Sequence, residues 1–348
     1  MKKNTIGYII SITIIAVIPL ITSCERRPLE DALFTTAKIP VKIYWDLAGI
    51  SPKNATVMFY REDGSFYKEW QTESDRECAE GYAELEPGRY TAVAFNELRN
   101  QIEYVRIRGW ERLETLEAYI SENTKPAYMF SSRDENEVQV QRPGILAACK
   151  ASINITPDMI SQTHYTPVGN DYFALTNLHP DRKTAQANMI VHVRGINNAR
   201  MPAMAELRHM ASGYFFATDK NSLSPVTAQF TMNNRKYLTD SKKDGNISAT
   251  ITTFGVLGEW HHTADTPDAS FFLDLAFMLV DEKQTVVEFS ADITDIMEIA
   301  VDEKIAVSIN IETGLGELPE VKPVGSDSGF STELIDWDKV IVPLYTGK

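Results

Sequence analysis

The feature that most constrains the fold is a succession of short alternating segments separated by turn residues. Residues 39–45 alternate apolar and polar side chains and are rich in β-branched and aromatic types. Residues 55–60 and 65–70 flank Asp63-Gly64, a dipeptide that favours a hairpin turn. Because parallel sheets need long crossovers between strands, this spacing predicts an all-β protein built of antiparallel sandwiches rather than a βαβ sheet.

The remaining segments extend this pattern and add two helices. Residues 80–85 and 89–95, joined by Glu86-Pro87-Gly88, are predicted to form a second hairpin. Leucine and isoleucine at helical spacing predict a helix over 111–120 that serves as a lid or crossover, and a short helix is expected over 199–210. Further strands are predicted at 102–107, 145–155, 187–193, 227–232, 247–253, 271–280, 286–290, 305–311 and 337–344, with Pro343 placing the last of them at a sheet edge.

The N-terminus has the order of an export signal. Lys2 and Lys3 precede an apolar run over 6–21, which is short for a membrane-spanning helix. The run ends in Ile21-Thr22-Ser23-Cys24, the pattern of a lipobox, so we expect cleavage between Ser23 and Cys24 and a diacylglycerol thioether on Cys24. An ordinary secretory signal with an incidental cysteine and an uncleaved anchor helix are the alternatives.

Lipidation of Cys24 predicts how the protein is held. Two or three fatty acids such as palmitate on one cysteine make attachment durable, whereas a single chain holds a protein only reversibly. The longest later apolar stretch, 271–280, is interrupted by Asp274 and is too short to span a bilayer. We therefore expect a lipid-anchored protein of the outer membrane, with the cell surface favoured over the periplasmic face.

Length and composition predict two domains behind this anchor. Removal of the first 23 residues leaves 325, which is enough for two sandwiches that each bury a core. The mixed charges and Pro28 after the cysteine indicate a tether, and His179-Pro180 breaks the strand pattern. The predicted division is a signal peptide at 1–23, a lipidated tether at 24–37, an N-terminal β-sandwich at 38–180 and a C-terminal β-sandwich at 181–348.

The charge balance excludes one class of partner. The net charge of −14 becomes −16 without the two signal lysines, and this excess repels nucleic acid and anionic lipid head groups. Once Cys24 is assigned to the lipid, Cys78 and Cys149 remain. An exported protein permits a disulfide between them, and two free thiols are the alternative.

The sequence predicts no catalytic, cofactor-binding or metal site, and hence no enzyme. It has no metalloprotease, nucleophile-elbow, phosphate-loop or paired-cysteine motif. His261-His262 lies near Asp265 and Asp268, but the surrounding residues predict a loop rather than a metal centre. Three acidic pairs are interpreted as turns: Glu62-Asp63, Asp281-Glu282 and Asp302-Glu303. A set of N-terminal aromatic residues could line a sugar platform but is mostly expected in the core: Tyr44, Trp45, Phe59, Tyr60, Phe66, Tyr67 and Trp70.

Several short segments occur in a fixed order: the lipobox with residues 25–29, then 85–96, 193–196, 209–214, 253–255, 292–294, 328–330 and 336–337. This ordered set resembles a lipoprotein family of anaerobic Gram-negative bacteria, the fimbrillin-like proteins similar to the anchor subunits of minor fimbriae. The resemblance implies two tandem transthyretin-like Greek-key β-sandwiches and no catalytic residues. The related polymerising subunits carry a long leader that ends at an arginine, whereas Arg26 and Arg27 here adjoin Cys24, which fits an anchor better than a shaft subunit.

The resemblance gives two functional hypotheses. In the first, the protein is an outer-membrane fimbrial anchor or assembly subunit, and an open sheet groove accepts a donated strand from another subunit. In the second, it is a stand-alone surface adhesin or glycan-binding lipoprotein, whose ligand lies on a host or bacterial surface. An enzyme would need a cleft with converging polar groups, and the sequence indicates none.

Overall fold

The computed structural model describes residues 34–74, 77–122, 127–132, 137–165, 176–258, 270–300, 308–322 and 339–343. Ser23, Cys24 and the predicted tether up to residue 33 lie outside the described residues. Within the described ranges, no helix has the length and apolar character needed to cross a bilayer. The architecture is nearly all β, as the sequence predicts.

Among the described residues, the first half of the chain contributes eleven strands and one helix, α1 (Asp158–Tyr165). A 3₁₀ turn at Leu113–Thr115 precedes the seventh strand. The strands are β1 (Ala37–Tyr44), β2 (Asn54–Arg61), β3 (Phe66–Glu73), β4 (Cys78–Leu85), β5 (Gly88–Asn96), β6 (Val105–Arg108), β7 (Glu117–Ile120), β8 (Gln139–Val140), β9 (Ala147–Ile155), β10 (Thr176–Leu178) and β11 (Asp181–Arg182).

The second half adds twelve described strands, and a 3₁₀ turn at Ile196–Asn198. These strands are β12 (Ala185–Arg194), β13 (Ala203–Ala211), β14 (Gly213–Phe215), β15 (Lys220–Asn221), β16 (Pro225–Met232), β17 (Asn234–Tyr237), β18 (Asp244–Thr253), β19 (Phe272–Met278), β20 (Val286–Asp292), β21 (Glu298–Ala300), β22 (Ser308–Glu317) and β23 (Lys339–Pro343).

The N-terminal sandwich packs a three-stranded sheet on a five-stranded one. Sheet I has the order β10-β1-β4, and sheet II has the order β11-β9-β5-β2-β3. Alternate residues of β1 are buried, because every second side chain of a strand points to the same face. These side chains meet Val57, Phe59 and Trp45 in one core between the two sheets. The Asp63-Gly64 turn joins β2 and β3 as the predicted hairpin.

Sheet II is covered on both faces. The opposite face of β2 and β5 presents Met58, Tyr60 and Phe95 to sheet III, which has the order β15-β14-β7-β6. Sheet III takes two strands from each half of the chain, and its apolar side chains continue into the core of the C-terminal sheets. This buried position explains why six consecutive residues of β2 are buried instead of alternate ones.

The C-terminal sandwich consists of two larger sheets. Sheet IV has the order β23-β20-β19-β13-β16-β8, and sheet V has the order β17-β18-β12-β22-β21. Both edge strands of sheet IV run parallel to their neighbours, β23 beside β20 and β8 beside β16. Pro343 ends β23 at an edge, as predicted. The division of the chain at residue 181 stays a prediction, since β11 pairs with β9 while β7 pairs with β14.

Two predicted helices are wrong. Residues 111–120 form the 3₁₀ turn and then β7, which pairs with β6 and β14. Residues 199–210 include most of β13, which lies between β16 and β19 in sheet IV. In both segments residues with good helix propensity occur, but strand neighbours on two sides outweigh a preference of a few tenths of a kcal/mol per residue, roughly.

The second predicted hairpin is also wrong, although both of its strands exist. β4 pairs with β1 in sheet I, whereas β5 pairs with β2 and β9 in sheet II. The segment Glu86-Pro87-Gly88 therefore connects the two layers of the sandwich instead of two neighbours in one sheet. A turn signal identifies a reversal of the chain, and the pairing partner depends on the rest of the fold.

Candidate interaction sites

Several predicted site residues lie outside the described part of the chain. They are the lipidation and cleavage residues Cys24 and Ser23, the pair His261-His262 with its neighbouring acids, and Asp302-Glu303. Within the described residues, no group of three or more histidine, cysteine, aspartate or glutamate side chains could hold a metal ion. Cys78 and Cys149 are free thiols. Burial raises the pKa of the Cys149 thiol to about 12, so this thiol is unreactive near neutral pH.

The N-terminal aromatic residues do not form a common platform. Trp45, Phe59 and Tyr60 are buried in the cores. Phe66 packs edge-on against Trp110, with ring centroids 5.1 Å apart. Tyr44 stacks on His179, and Tyr67 contacts Tyr90. Trp70 packs against the core between sheets I and II.

Two acidic pairs are turn residues, as predicted. The Oδ1 atom of Asp63 accepts hydrogen bonds from the backbone N–H and the hydroxyl of Ser65. The carboxylate of Asp281 accepts the corresponding bonds from Thr285. Side-chain bonds of this kind stabilise tight turns and need no catalytic role.

A connecting segment crosses the outer face of sheet IV. This segment, here called the strap, comprises residues 127–132 and 137–141 among those described. Phe130 is buried against Ala276 and Val286 and forms a small apolar cluster of its own. β8, near the end of the strap, adds to the edge of β16. The strap therefore places a segment from the first half of the chain on a sheet of the second half.

Carboxylates on sheet IV hold the strap in place. Glu288 accepts hydrogen bonds from the hydroxyls of Tyr128 and Ser131, and its Oε2 also accepts the backbone N–H of Ser131 at 3.1 Å. Glu206 accepts bonds from the amides of Gln139 and Gln229. Since ionised carboxylates are acceptors only, each one needs several donors when it is buried. Burial and the Glu288 carboxylate raise the pKa of the Tyr128 phenol, which stays a donor.

One arginine pairs with two of the buried acids. Nη1 of Arg208 lies 3.1 Å from Oδ2 of Asp274 and donates to the backbone carbonyl of Ser132 at 3.2 Å. Nε of Arg208 lies 3.4 Å from Oε1 of Glu137. The side chain of Asp274 has 0% of its surface exposed and that of Arg208 has 11%, so solvent screens this pair little.

A β-bulge in β13 sets the direction of the Arg208 side chain and its neighbours. The register between β13 and β16 shifts between Leu207 and Met210, and His209 has a positive φ of 66°. The residue inserted by a bulge re-aims its neighbours. Sequence reasoning missed the polar group because it predicts a helix over 199–210, and nothing in the local sequence around Glu206 and Arg208 indicates that they are buried. Only the strap, whose position does not follow from local pattern, buries them.

The edge of β16 is only partly covered. β8 pairs with Thr227 and Ala228, and the N–H of Thr227 donates to the carbonyl of Val138 at 2.9 Å. In the described part of the chain, residues 229–232 of β16 have no strand on that side. An edge of this kind can accept an extended segment by main-chain hydrogen bonds.

A cleft of 620 Å³ lies where the N-terminal half meets sheet V. Its walls come from residues 50–52, 96–97, 103–104, 141–145 and 250–252. A smaller cavity of 190 Å³ adjoins it and shares Ile145 and the β18 residues. The volume of the larger cleft falls within the range of small-ligand sites, about 300–1,000 Å³.

A second ion cluster joins the two halves near sheet III. Nζ of Lys183 lies 2.9 Å from both Asp181 and Asp219, and Tyr214 donates its hydroxyl to Asp219. Burial alone would raise the pKa of Asp219, but the bonds from Tyr214 and Lys183 outweigh it and lower that pKa. The arrangement stabilises the ionised carboxylate and resembles a structural cluster, since the described residues beside it include no reactive nucleophile.

These sheets define a class: the chain is an all-β protein built of packed β-sandwiches. It belongs to the family described as "Domain of unknown function (DUF5119)", whose model matches residues 23–231. The match includes all of the described strands from β1 to β15, and therefore all four strands of sheet III.

The fold is shared with a solved structure from Bacteroides ovatus that is described as a "putative adhesin". The two have a TM-score of 0.54 and 18% identity, over 86% of this chain and 98% of that one. The fimbrial anchor protein Mfa2 of Porphyromonas gingivalis is also similar, with a TM-score of 0.44 and 11% identity over 80% of this chain and 90% of that chain.

A curated relative is the "Putative fimbrium anchoring subunit Fim4B" of Bacteroides ovatus. It is 30% identical over 122 residues, which are 34% of this chain and 33% of that protein. The chain thus spans about a third of the length of the curated relative that it matches. The predicted resemblance to fimbrillin-like anchor proteins is confirmed at the level of family and fold.

Proposed function

We propose that this protein is an outer-membrane lipoprotein that serves as the anchor or assembly subunit of a fimbria. The observation that carries the proposal is the similarity to the fimbrium anchoring subunit Fim4B. The lipobox-like sequence before Cys24 supports attachment through a lipid, and the family model begins at residue 23, next to that cysteine. In this proposal the protein acts mechanically and catalyses no reaction.

The contact with the next subunit would be a strand added to the edge of β16, where no described strand pairs beyond Ala228. Residues 229–232 of β16 continue past the two-residue pairing with β8 and offer main-chain donors and acceptors in an extended conformation. Main-chain hydrogen bonds would supply affinity, and alternate side chains of the added strand would supply specificity. We propose this edge as the acceptor, with a strand of another fimbrial subunit as its partner.

Cell fractionation tests the anchor. We expect wild-type protein in the outer-membrane fraction, and we expect Cys24→Ala to remain as uncleaved precursor or to leave that fraction, because the thioether cannot form. Ser23→Gly is the matched control, since it keeps a small residue at the cleavage site and should be processed normally. Equal processing and membrane retention of Cys24→Ala and wild type would contradict the proposal.

Two experiments test the fimbrial role. Protease treatment of intact cells should remove the protein if it faces outward. Affinity purification of the protein from membranes should recover polymerised fimbrial subunits. Thr231→Pro in β16 removes an N–H from the open edge and should reduce this recovery. Thr250→Pro, at an exposed position of β18 in sheet V, is the comparison. Purification without any fimbrial subunit would count against the function itself.

A further inference from the structure

The cleft between the N-terminal half and sheet V is not used by the proposed anchor role. Its walls are fixed by hydrogen bonds of their own. Asn96 donates to the carbonyl of Ile145 at 2.9 Å and accepts the N–H of Ala147 at 2.7 Å. The carboxylate of Glu97 accepts bonds from the N–H of Lys53 and the amide of Asn54. These bonds occupy the wall residues and hold the cleft open in a defined shape.

The loop that carries Tyr104 is held just as firmly. The N–H of Gly144 donates to the carbonyl of Glu103 at 2.7 Å, and a Cβ on Gly144 would lie 3.1 Å from the Glu103 nitrogen. The carbonyl of Tyr104 accepts the N–H of Ser121 at 3.0 Å. Tyr104 has a φ of 55°, an unfavourable conformation for a large side chain that the surrounding bonds enforce. Tyr104 lines the cleft, and 40% of the residue is exposed.

Three side chains at this wall are available to a ligand. Within the described residues, the carboxylate of Glu103, the phenol of Tyr104 and the guanidinium of Arg142 have no hydrogen bond or ion pair with another side chain. All three line the cleft, and all three are exposed. The opposite wall adds the hydroxyls of Thr250 and Thr252 from β18. The cleft therefore combines an aromatic face with a carboxylate, a guanidinium and hydroxyl groups.

We propose that this cleft binds a neutral carbohydrate, as a terminal sugar of a surface glycan. The ring of Tyr104 offers a flat apolar face for the C–H side of a pyranose. Carboxylates and guanidinium groups each bind two neighbouring hydroxyls through paired hydrogen bonds, which suits the vicinal hydroxyls of a sugar. The site is independent of the anchor role and would operate with or without a fimbria.

Other ligand classes fit the cleft less well. A metal ion is disfavoured, since no suitable ligand group occurs in the described residues. An anion would meet Glu103 and a chain of net charge −14. A peptide strand needs apolar pockets for alternate side chains, whereas Ser51, Glu103, Gln141 and Arg142 make this lining mostly polar.

The test uses the purified full-length chain in detergent on an array of oligosaccharides ending in galactose, mannose or N-acetylglucosamine. Calorimetry then measures the affinity for the probe that gives the strongest signal. We expect Tyr104→Asn and Arg142→Gln each to weaken binding at least about tenfold. Asparagine tolerates a positive φ, so the first variant removes the ring without adding backbone strain.

Tyr82→Asn is the matched control, because Tyr82 is a similarly exposed tyrosine, 38% against 40%, that does not line the cleft. Its affinity should equal that of the wild type. Thermal unfolding of each variant separates loss of binding from loss of folding. The proposal is overturned if no glycan binds, or if binding is unchanged in both cleft variants.

Discussion

At the scale of single residues, one guanidinium pairs with a buried acid of sheet IV and with an acid of the strap. Arg208 contacts both Asp274 and Glu137, and all three side chains are nearly inaccessible to solvent. Removing one member of a buried ion pair leaves an uncompensated charge, which is much more costly than replacing the whole pair.

We therefore expect Arg208→Met to lower the free energy of unfolding by about 3–5 kcal/mol in urea denaturation at pH 7. The double variant Arg208→Met, Asp274→Asn should recover part of this loss, since an amide needs no counter-charge. Lys243→Met is the control, because its partner Glu320 is exposed, and its stability should match wild type. Equal stability of Arg208→Met and Lys243→Met would contradict this account.

A second residue-scale prediction concerns acid stability. The pKa of Asp219 is lowered in the folded state, so the unfolded chain binds more protons between the folded pKa and the ordinary value of 3.8. The stabilisation from Asp219 is thus present above about pH 4 and is lost as the pH falls through the folded pKa. Tyr214→Phe removes a donor to this carboxylate and should flatten the fall in stability between pH 5 and pH 2.5.

The measurement is urea unfolding across that range of pH. Tyr90→Phe serves as the comparison, because the Tyr90 hydroxyl donates to the backbone carbonyl of Glu86 and to no carboxylate. Tyr90→Phe should shift the stability at all pH values alike. An acid slope in Tyr214→Phe as steep as that of the wild type would show that Asp219 does not carry the effect.

At the scale of elements, the strap is held by Phe130 and by hydrogen bonds to sheet IV. Phe130 is 4% exposed, while the neighbouring Met129 is 57% exposed. Phe130→Ala should release the strap locally, because it removes most of the apolar cluster with Ala276 and Val286. We expect faster limited proteolysis within residues 127–141, with little change for Met129→Ala. Unchanged cleavage in Phe130→Ala would mean that the polar contacts alone hold the strap.

Local sequence predicts some of these elements correctly and others incorrectly. The Asp63-Gly64 hairpin and the strands 55–60 and 89–95 follow from local pattern, since turn chemistry and alternation are local properties. β13 does not, because Ala203, Met204, Glu206 and Leu207 are good helix formers, and only the neighbours β16 and β19 make the segment a strand.

The candidate sites were predictable to a smaller degree. Glu103, Tyr104 and Arg142 are far apart from Thr250 in sequence and carry no motif, so only the tertiary fold brings them to one cleft. The buried acids of sheet IV could not be predicted either. They are buried by the strap, and the local sequence of the strap does not indicate where it packs. The turn roles of Asp63 and Asp281, by contrast, follow from the residues beside them.

At the scale of the whole molecule, one continuous core links the two halves. Apolar residues of sheet II, sheet III and the C-terminal sheets belong to a single cluster. In this cluster the ring centroids of Phe95 and Phe216 lie 6.0 Å apart. Units that share a core unfold together, whereas independent domains unfold separately.

We expect calorimetry to give a single transition whose calorimetric and van't Hoff enthalpies agree. Phe216→Ala should lower the midpoint of the entire transition, because a buried phenylalanine contributes about 3–5 kcal/mol. Phe59→Ala, a substitution of an equally buried residue in the core between sheets I and II, should lower the midpoint of the same transition. Two resolved transitions, with only one of them shifted by Phe216→Ala, would favour independent domains instead.

The position of β1 has a mechanical consequence. β1 is the central strand of sheet I and pairs with β4 over eight residues and with β10 over three. Tension on the chain ahead of Ala37 would act along this strand, so the pairs on both sides would have to slide together rather than open one at a time. Shear of this kind resists extraction far better than peeling does. In the proposed anchor role, a pull on the lipidated N-terminus would load β1 in shear.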